Sequence, residues 1–347
     1  MTDAREVLVI RADADTRVGT GHVMRCVALA QAWEERGGRA QFVCSTVTPS
    51  LEARLRGEGF SVTSLPESAG SLADAAATVD VARHAGASWI VVDGYHFDVA
   101  YHRAIKTAGL RLLILDDYGH ADHYLADLVL NQNVHAEPSL YRDREPHTRL
   151  LLGTRYAMLR REFWASRLWR RSIPPVARRL LVTLGGSDPD NVTRTLIEAI
   201  AGLNVDGLQT TVLVGGSNPH QASLDASARD SSRPIRIERN VSDMPPWMQW
   251  ADAAVTAAGG TLWELAFFAL PSLTVILADN QEPAARWLAD RGVFPTLGRG
   301  TSVSAETVRE PLCRLLGDGE LRRKHSERAA ALVDGNGVFR VVEAMTE

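Results

Sequence analysis

Short, nearly continuous apolar runs alternate along this chain with longer stretches in which apolar residues recur at helical spacing. Runs at 7–11, 40–45, 60–65, 88–93 and 111–115 read as strands, and 22–36, 48–57, 71–85 and 97–107 read as helices. Trp89-Ile90-Val91-Val92 and Leu112-Leu113-Ile114-Leu115 lack polar alternation, as strands covered on both faces do. The alternation of strand and helix predicts a parallel sheet with helices on both sides. Between Arg160 and Arg179 the pattern breaks into Arg and Trp around Pro174-Pro175, which reads as a linker packed by Trp164 and Trp169. A second series opens with Leu180-Leu181-Val182-Thr183-Leu184. It continues with a helix from Asn191 to about Leu203 and strands near 210–214, 234–237, 253–256 and 272–277. The expected organisation is an N-terminal α/β/α domain over 1–165, a linker over 166–178, a second α/β/α domain over 179–335 and a C-terminal tail over 336–347, with the two parallel sheets facing a cleft.

Composition narrows the partners. A chain of 347 residues is long for one core, which supports two domains. A formal net charge of −4 argues against nucleic acid as a partner. No apolar run approaches the ~18 residues of a membrane span, and MTDAREVLVIRAD lacks a signal-peptide layout. Cys26, Cys44 and Cys313 have neither metal-site spacing nor the arrangement of a disulfide framework. These features lead to the expectation of a reduced, cytoplasmic setting.

Candidate chemistry lies where strands end. Arg11–Arg25, reading RADADTRVGTGHVMR, is strand, glycine-bearing loop and helix start, with His22 at the mouth of the helix. Free N–H groups at a helix start receive anions, and an imidazole with an ordinary pKa near ~6.5 suits proton transfer at neutral pH. The tails Asp93-Gly94-Tyr95-His96 and Asp116-Asp117-Tyr118-Gly119 lie at the carboxyl ends of their strands, where open α/β sheets bind ligands. Adjacent carboxylates on a strand end point to opposite sides, so Asp116 and Asp117 do not read as a metal pair. His120 and His123 lack a third ligand.

In the second half, Gly185-Gly186-Ser187-Asp188 and Gly259-Gly260-Thr261 are glycine turns between a strand and a helix. Both suit a phosphate, although either could serve the turn alone. Glu264 could accept from a ribose diol, or could be a first-turn glutamate favoured by the helix dipole. With the polar loop Asn280-Gln281-Glu282, two such turns favour a nucleotide. The chain contains no GxxxxGK[ST], and GTGHVM does not supply a dinucleotide fingerprint.

In GGSD, Asn240–Met244 and AGGTLWEL, the second domain resembles the UDP-binding half of GT-B enzymes such as MurG. RADADTRVGTGHVMRCVALA, VVDGYHF, LLILDDYGHADHYLADLVLNQN, LLGTRYAMLRREF and VDGNG together resemble the PseG/SpsG group, over about residues 7–340. The resemblance implies a GT-B fold of two Rossmann-like domains. It also implies metal-independent hydrolysis of UDP-2,4-diacetamido-2,4,6-trideoxy-β-L-altropyranose in pseudaminic acid biosynthesis, by water attack at the anomeric carbon with inversion and without a cofactor.

By the same resemblance, the GxGHxxR motif is Gly19, Gly21, His22 and Arg25, with His22 catalytic. Tyr95 and Asn280, the latter followed by Gln281, match family positions that meet the substrate. Glu264 matches the nucleotide glutamate, and Val241 and Met244 are candidates to hold uracil. Gly185, Gly186, Ser187, Asp188, Gly259, Gly260 and Thr261 are expected around the diphosphate. His22 is then expected to take a proton from water, with Tyr95 donating to the sugar or the water. Asp13 orients the imidazole, binds a sugar hydroxyl or shapes the turn. Arg11 lines the strand end, and Arg25 meets a phosphate or Asp13. The expected partner is a UDP-activated amino sugar and the expected state a monomer. The alternatives are a GT-B glycosyltransferase with an acceptor and a non-catalytic nucleotide-sugar binder.

Overall fold

A computed structural model describes residues 6–14 and 19–347. Residues 15–18, in the middle of the Arg11–Arg25 stretch, lie outside the described residues. The chain divides into two compact units, the first formed by 1–161 with 336–347 and the second by 162–335.

In the first unit, seven parallel strands stand in the order β3-β2-β1-β4-β5-β6-β7. They are β1 (Val7–Ala12), β2 (Arg39–Cys44), β3 (Ser61–Ser64), β4 (Ala87–Asp93), β5 (Arg111–Leu115), β6 (Leu128–Asn131) and β7 (Arg149–Leu152). The order reverses between β1 and β4, which makes that pair the topological switch point of the sheet. Register places Ala12 beside Asp93, and Asp93 beside Leu115, so the chains leaving β1, β4 and β5 emerge together. The five strands expected from apolar runs are all present; β6 and β7 are additional.

The last residues, expected as a tail, form the helix Gly337–Thr346 and belong to the first unit. Val338, Val341, Val342 and Met345 on it are buried, and the Trp89 indole donates to the Met345 carbonyl at 3.1 Å. Gly337 leaves room for a close approach: a Cβ there would lie 2.3 Å from the Ala157 carbonyl oxygen. Apolar spacing on one helix face explains why this segment packs.

The second unit carries six parallel strands in the order β10-β9-β8-β11-β12-β13. These are β8 (Arg179–Thr183), β9 (Gln209–Val214), β10 (Ile235–Arg239), β11 (Ala253–Ala257), β12 (Ser272–Ile276) and β13 (Thr296–Arg299). Its switch point lies between β8 and β11. On one face, Leu196, Ile197 and Ile200 of the helix Val192–Ala201 pack with Val182, Val255 and Val275.

The stretch expected as a linker is held to this unit. Arg171 is largely desolvated and donates to three carbonyls, those of Phe268, Ala251 and Met248, at 2.8, 2.5 and 2.6 Å. Burial lowers its pKa to about 9. Arg322 donates likewise to Leu315, Leu316, Pro174 and Pro175. Trp169 packs edge-on against Phe268, at 5.4 Å between ring centroids.

Candidate active site

The helix Gly21–Glu35 follows β1 and brings His22 and Arg25, one turn apart, to the carboxyl end of the sheet. Gly19 before it adopts φ +76°, a left-handed conformation that suits glycine. Arg25 meets two carboxylates. Its Nε donates to Asp93 Oδ2 at 2.6 Å, its Nη2 to Asp93 Oδ1 at 2.7 Å and its Nη1 to Asp117 Oδ1 at 2.7 Å. His22 Nδ1 lies 3.6 Å from Asp93 Oδ1, beyond a hydrogen bond but close enough for attraction once the ring is protonated.

Asp117 gathers more donors. Tyr95 donates its hydroxyl hydrogen to Oδ2 at 2.6 Å, and Asn133 Nδ2 donates to Oδ1 at 2.7 Å. Burial alone would raise the Asp117 pKa. The charge and hydrogen bond of Arg25 outweigh it, helped by His22 and Tyr95, and hold the carboxyl far below its ordinary range. The Tyr95 ring stands edge-on to His22 at 5.0 Å and lies 4.9 Å from the half-exposed Tyr118. Thus His22, Arg25 and Tyr95, expected together, do meet, and the groups joining them are Asp93 and Asp117.

Asp116 faces elsewhere, as adjacent strand-end residues should. It accepts from the amides of Tyr118 and Gly119 at 2.7 and 2.8 Å and from His120 Nδ1 at 2.7 Å, and also meets Tyr124.

Two expected site residues serve the scaffold. Arg11 is 0% exposed, and its Nε and Nη2 form a fork to Asp74, each at 2.9 Å, with Ser45 Oγ also on Nη2 at 2.6 Å. A guanidinium wholly enclosed by internal partners cannot line the crevice. Of the three roles open to Asp13 the structure shows the turn, and the carboxylate beside the imidazole is Asp93. Asp13 Oδ1 accepts from the amides of Ser45 and Thr46 at 2.7 and 2.9 Å, while Oδ2 lies 2.7 Å from Arg11 and 3.4 Å from His96. Burial raises its pKa, but His96 and Arg11 prevail and lower it to about 2. Asp13 therefore pins the chain after β1 to the chain after β2.

In the second unit the glycine turns flank the switch point. Gly185 follows β8 with φ +85°, beside the half-buried Gly186 and Ser187. Gly259, Gly260 and Thr261 follow β11 and open the helix Thr261–Phe267, which carries Glu264 at 8% exposure. Gln281 accepts from the Leu277 amide at 2.9 Å through Oε1, and its Nε2 would lie 3.6 Å from a Cβ at Gly259. The Gln281 amide therefore lies next to the second turn; Asn280 sits beside it in the same 3-10 turn. Val241 and half-buried Met244 lie after β10, at the start of the helix Pro245–Trp250.

Asp188 departs from expectation. It is 2% exposed, and its two oxygens accept from the amides of Val192 and Thr193, each at 2.9 Å. This carboxylate caps its own helix rather than reaching a ligand.

A partner of the first turn was overlooked in the sequence. Leu181–Pro189 reads LVTLGGSDP and Thr211–Pro219 reads TVLVGGSNP, a local repeat that would have revealed it. Gly215 of the second copy presses against the first: a Cβ there would lie 2.5 Å from Gly185 O and from both Gly186 Cα and O.

Residues 180–297 match the glycosyltransferase family 28 C-terminal domain. The chain is similar to the spore coat polysaccharide biosynthesis protein SpsG of Bacillus subtilis (strain 168), 27% identical over 269 residues that span 71% of this chain and 79% of that protein. It is also similar to a UDP-N-acetylglucosamine–N-acetylmuramyl-(pentapeptide) pyrophosphoryl-undecaprenol N-acetylglucosamine transferase of Acidithiobacillus ferrooxidans. That match is 27% identical and covers 57% of this chain and 59% of the relative. Among solved structures, MurG of Acinetobacter baumannii superposes with a TM-score of 0.67 at 16% identity, covering 99% of both chains. The Staphylococcus aureus MnaA–UDP structure gives 0.67 at 14% identity, over 98% of this chain and 96% of the other. These likenesses establish the expected GT-B fold. No helix among the described residues is long and apolar enough to cross a membrane.

Proposed function

We propose that this protein is a UDP-sugar hydrolase that releases UDP and the free sugar by water attack at the anomeric carbon with inversion. The observation that carries the reading is His22 at the switch point of the first unit, beside a carboxylate it does not share with solvent: Asp93 is 0% exposed and 3.6 Å from Nδ1. With Nδ1 turned to Asp93, Nε2 is the nitrogen available to take a proton from water. Asp93 then stabilises the imidazolium that forms, a general-base role contributing ~10²–10⁴-fold.

The nucleotide falls to the second unit. Gly185, Gly186, Ser187, Gly259, Gly260 and Thr261 offer backbone N–H groups to the diphosphate, Glu264 takes the ribose diol, and Val241 and Met244 hold uracil. Stabilising charge on the departing UDP in this way removes the need for a general acid there. Asn280 and Gln281 are the proposed sugar contacts on this unit. The resemblance to the PseG/SpsG group and the similarity to SpsG support a diacetamido-trideoxy sugar of the altrose type, in the synthesis of a surface polysaccharide.

A glycosyltransferase reading draws on the family 28 match and on the names of the transferase relatives. Incubating the protein with a panel of UDP-sugars and no acceptor separates the two. Release of UDP with an inverted sugar product, abolished by His22→Asn while UDP still binds, is the expected result. Strict dependence on an added acceptor would overturn the hydrolase reading, and full activity of His22→Asn would remove His22 from the chemistry.

A further inference from the structure

The expected role of Tyr95 is that of a donor to the sugar or the water, and its contact with Asp117 reverses that polarity. A phenol carries one hydrogen, and that of Tyr95 goes to Asp117 Oδ2 at 2.6 Å. The other Asp117 oxygen is taken by Arg25 Nη1 and Asn133 Nδ2, each at 2.7 Å. Two cationic or amide donors on one oxygen and the phenol on the other keep the carboxylate charged, so the shared hydrogen stays on the tyrosine. Any further partner of the Tyr95 oxygen has to donate to it. The ring holding that oxygen is edge-on to His22 at 5.0 Å.

We propose that Asp117 is a positioning residue that makes the Tyr95 hydroxyl a hydrogen-bond acceptor beside His22. In the proposed hydrolysis, which this inference rests on, the attacking water carries two hydrogens. One passes to His22 Nε2 as the oxygen bonds to the anomeric carbon and the bond to UDP breaks. The other is held by Tyr95, so the oxygen lone pair is aimed while the proton leaves. A water donating to two fixed acceptors loses much of its rotational freedom before the reaction, which is the usual source of an orientation advantage. Arg25 adds rigidity, since the same guanidinium clamps Asp93 and Asp117 and so couples the frames of the two acceptors.

Two measurements test this on the full chain. In protein labelled with 13C at tyrosine Cζ, the Tyr95 resonance is assigned by its loss in Tyr95→Phe. It is expected to shift in Asp117→Asn with no substrate present; an unmoved resonance overturns the proposed polarity, whatever the enzyme acts on. Kinetics with the UDP-sugar selected from the panel supply the second readout. Tyr95→Phe and Asp117→Asn are each expected to lower kcat by about tenfold or more with KM within about threefold, and the double variant to fall little below the worse single one. Independent, multiplicative losses would show that Asp117 does not act through Tyr95 and overturn the positioning role. Strict dependence on an added acceptor would instead sink the hydrolase reading while leaving the NMR result to stand or fall alone.

Discussion

Arg25 and Asp93 form a two-point contact, Nε to Oδ2 at 2.6 Å and Nη2 to Oδ1 at 2.7 Å, and the Arg25 fork has a third nitrogen on Asp117. Only a guanidinium presents donors in this planar pattern. In Arg25→Met the two carboxylates would face one another with no cation between them. A stability loss of about 3–5 kcal/mol is expected, with Arg25→Lys recovering part of it. Urea unfolding checks this, and a loss below about 1 kcal/mol for Arg25→Met would show that the frame closes without the arginine.

Asp188 gives a prediction that separates stability from binding. Its carboxylate accepts from the amides of Val192 and Thr193, so Asp188→Ala is expected to cost about 1 kcal/mol as a lost helix cap. UDP affinity, measured by calorimetry well below the unfolding temperature, should stay within about threefold of wild type. A larger loss of affinity with unchanged stability would return Asp188 to the ligand.

Gly215 should tolerate no side chain. A Cβ would sit 2.5 Å from backbone atoms of Gly185 and Gly186, which cannot swing away as the end of a side chain can. Gly215→Ala is expected to cost about 1–3 kcal/mol as overpacking and to displace the first glycine turn. Weakened UDP binding alongside lowered stability is the expected pair of results; wild-type values for both would mean that the two turns are not in register.

Acid should weaken each unit through one buried histidine. His102 in the first and His325 in the second are held neutral by burial, with pKa lowered to about 4 in each. Free histidine takes its proton near ~6.5, so between there and about 4 the unfolded chain binds protons that the folded chain does not. Stability is therefore full above pH ~6.5 and lost as pH falls towards about 4, by up to about 3 kcal/mol for His102, which is 0% exposed. His102→Phe should flatten that slope in the pH dependence of the first unit's unfolding; an unchanged slope would reject the assignment.

Strand existence was legible where apolar runs such as Val7–Ile10, Trp89–Val92 and Leu112–Leu115 alternated with helical spacing, because burial on both faces erases the polar alternation. Leu128–Asn131, Arg149–Leu152 and Thr296–Arg299 were not legible, since four residues between polar loops carry too little pattern to stand out. At the site, His22, Arg25 and Tyr95 could be named because motif and strand end coincide. Sequence could not assign Arg11 and Asp13, because a charged residue at a strand end looks the same whether it faces ligand or core. What decides is the partner, Asp74 for Arg11 and the Ser45–Thr46 amides for Asp13, and each lies more than thirty residues away. Asp93 and Asp117 were visible as strand-end carboxylates, but their joint use of one arginine is a property of the folded sheet.

The helix Gly337–Thr346 adds a constraint of another kind. It closes the first unit, yet it is encoded after all of the second. On the ribosome, residues 162–335 are therefore complete while Trp89 still waits for its Met345 partner. Chains usually fold domain by domain in the order of synthesis, and here that order is inverted at the final step. The second unit is finished first, and the unit bearing His22 is sealed only when translation has passed beyond it.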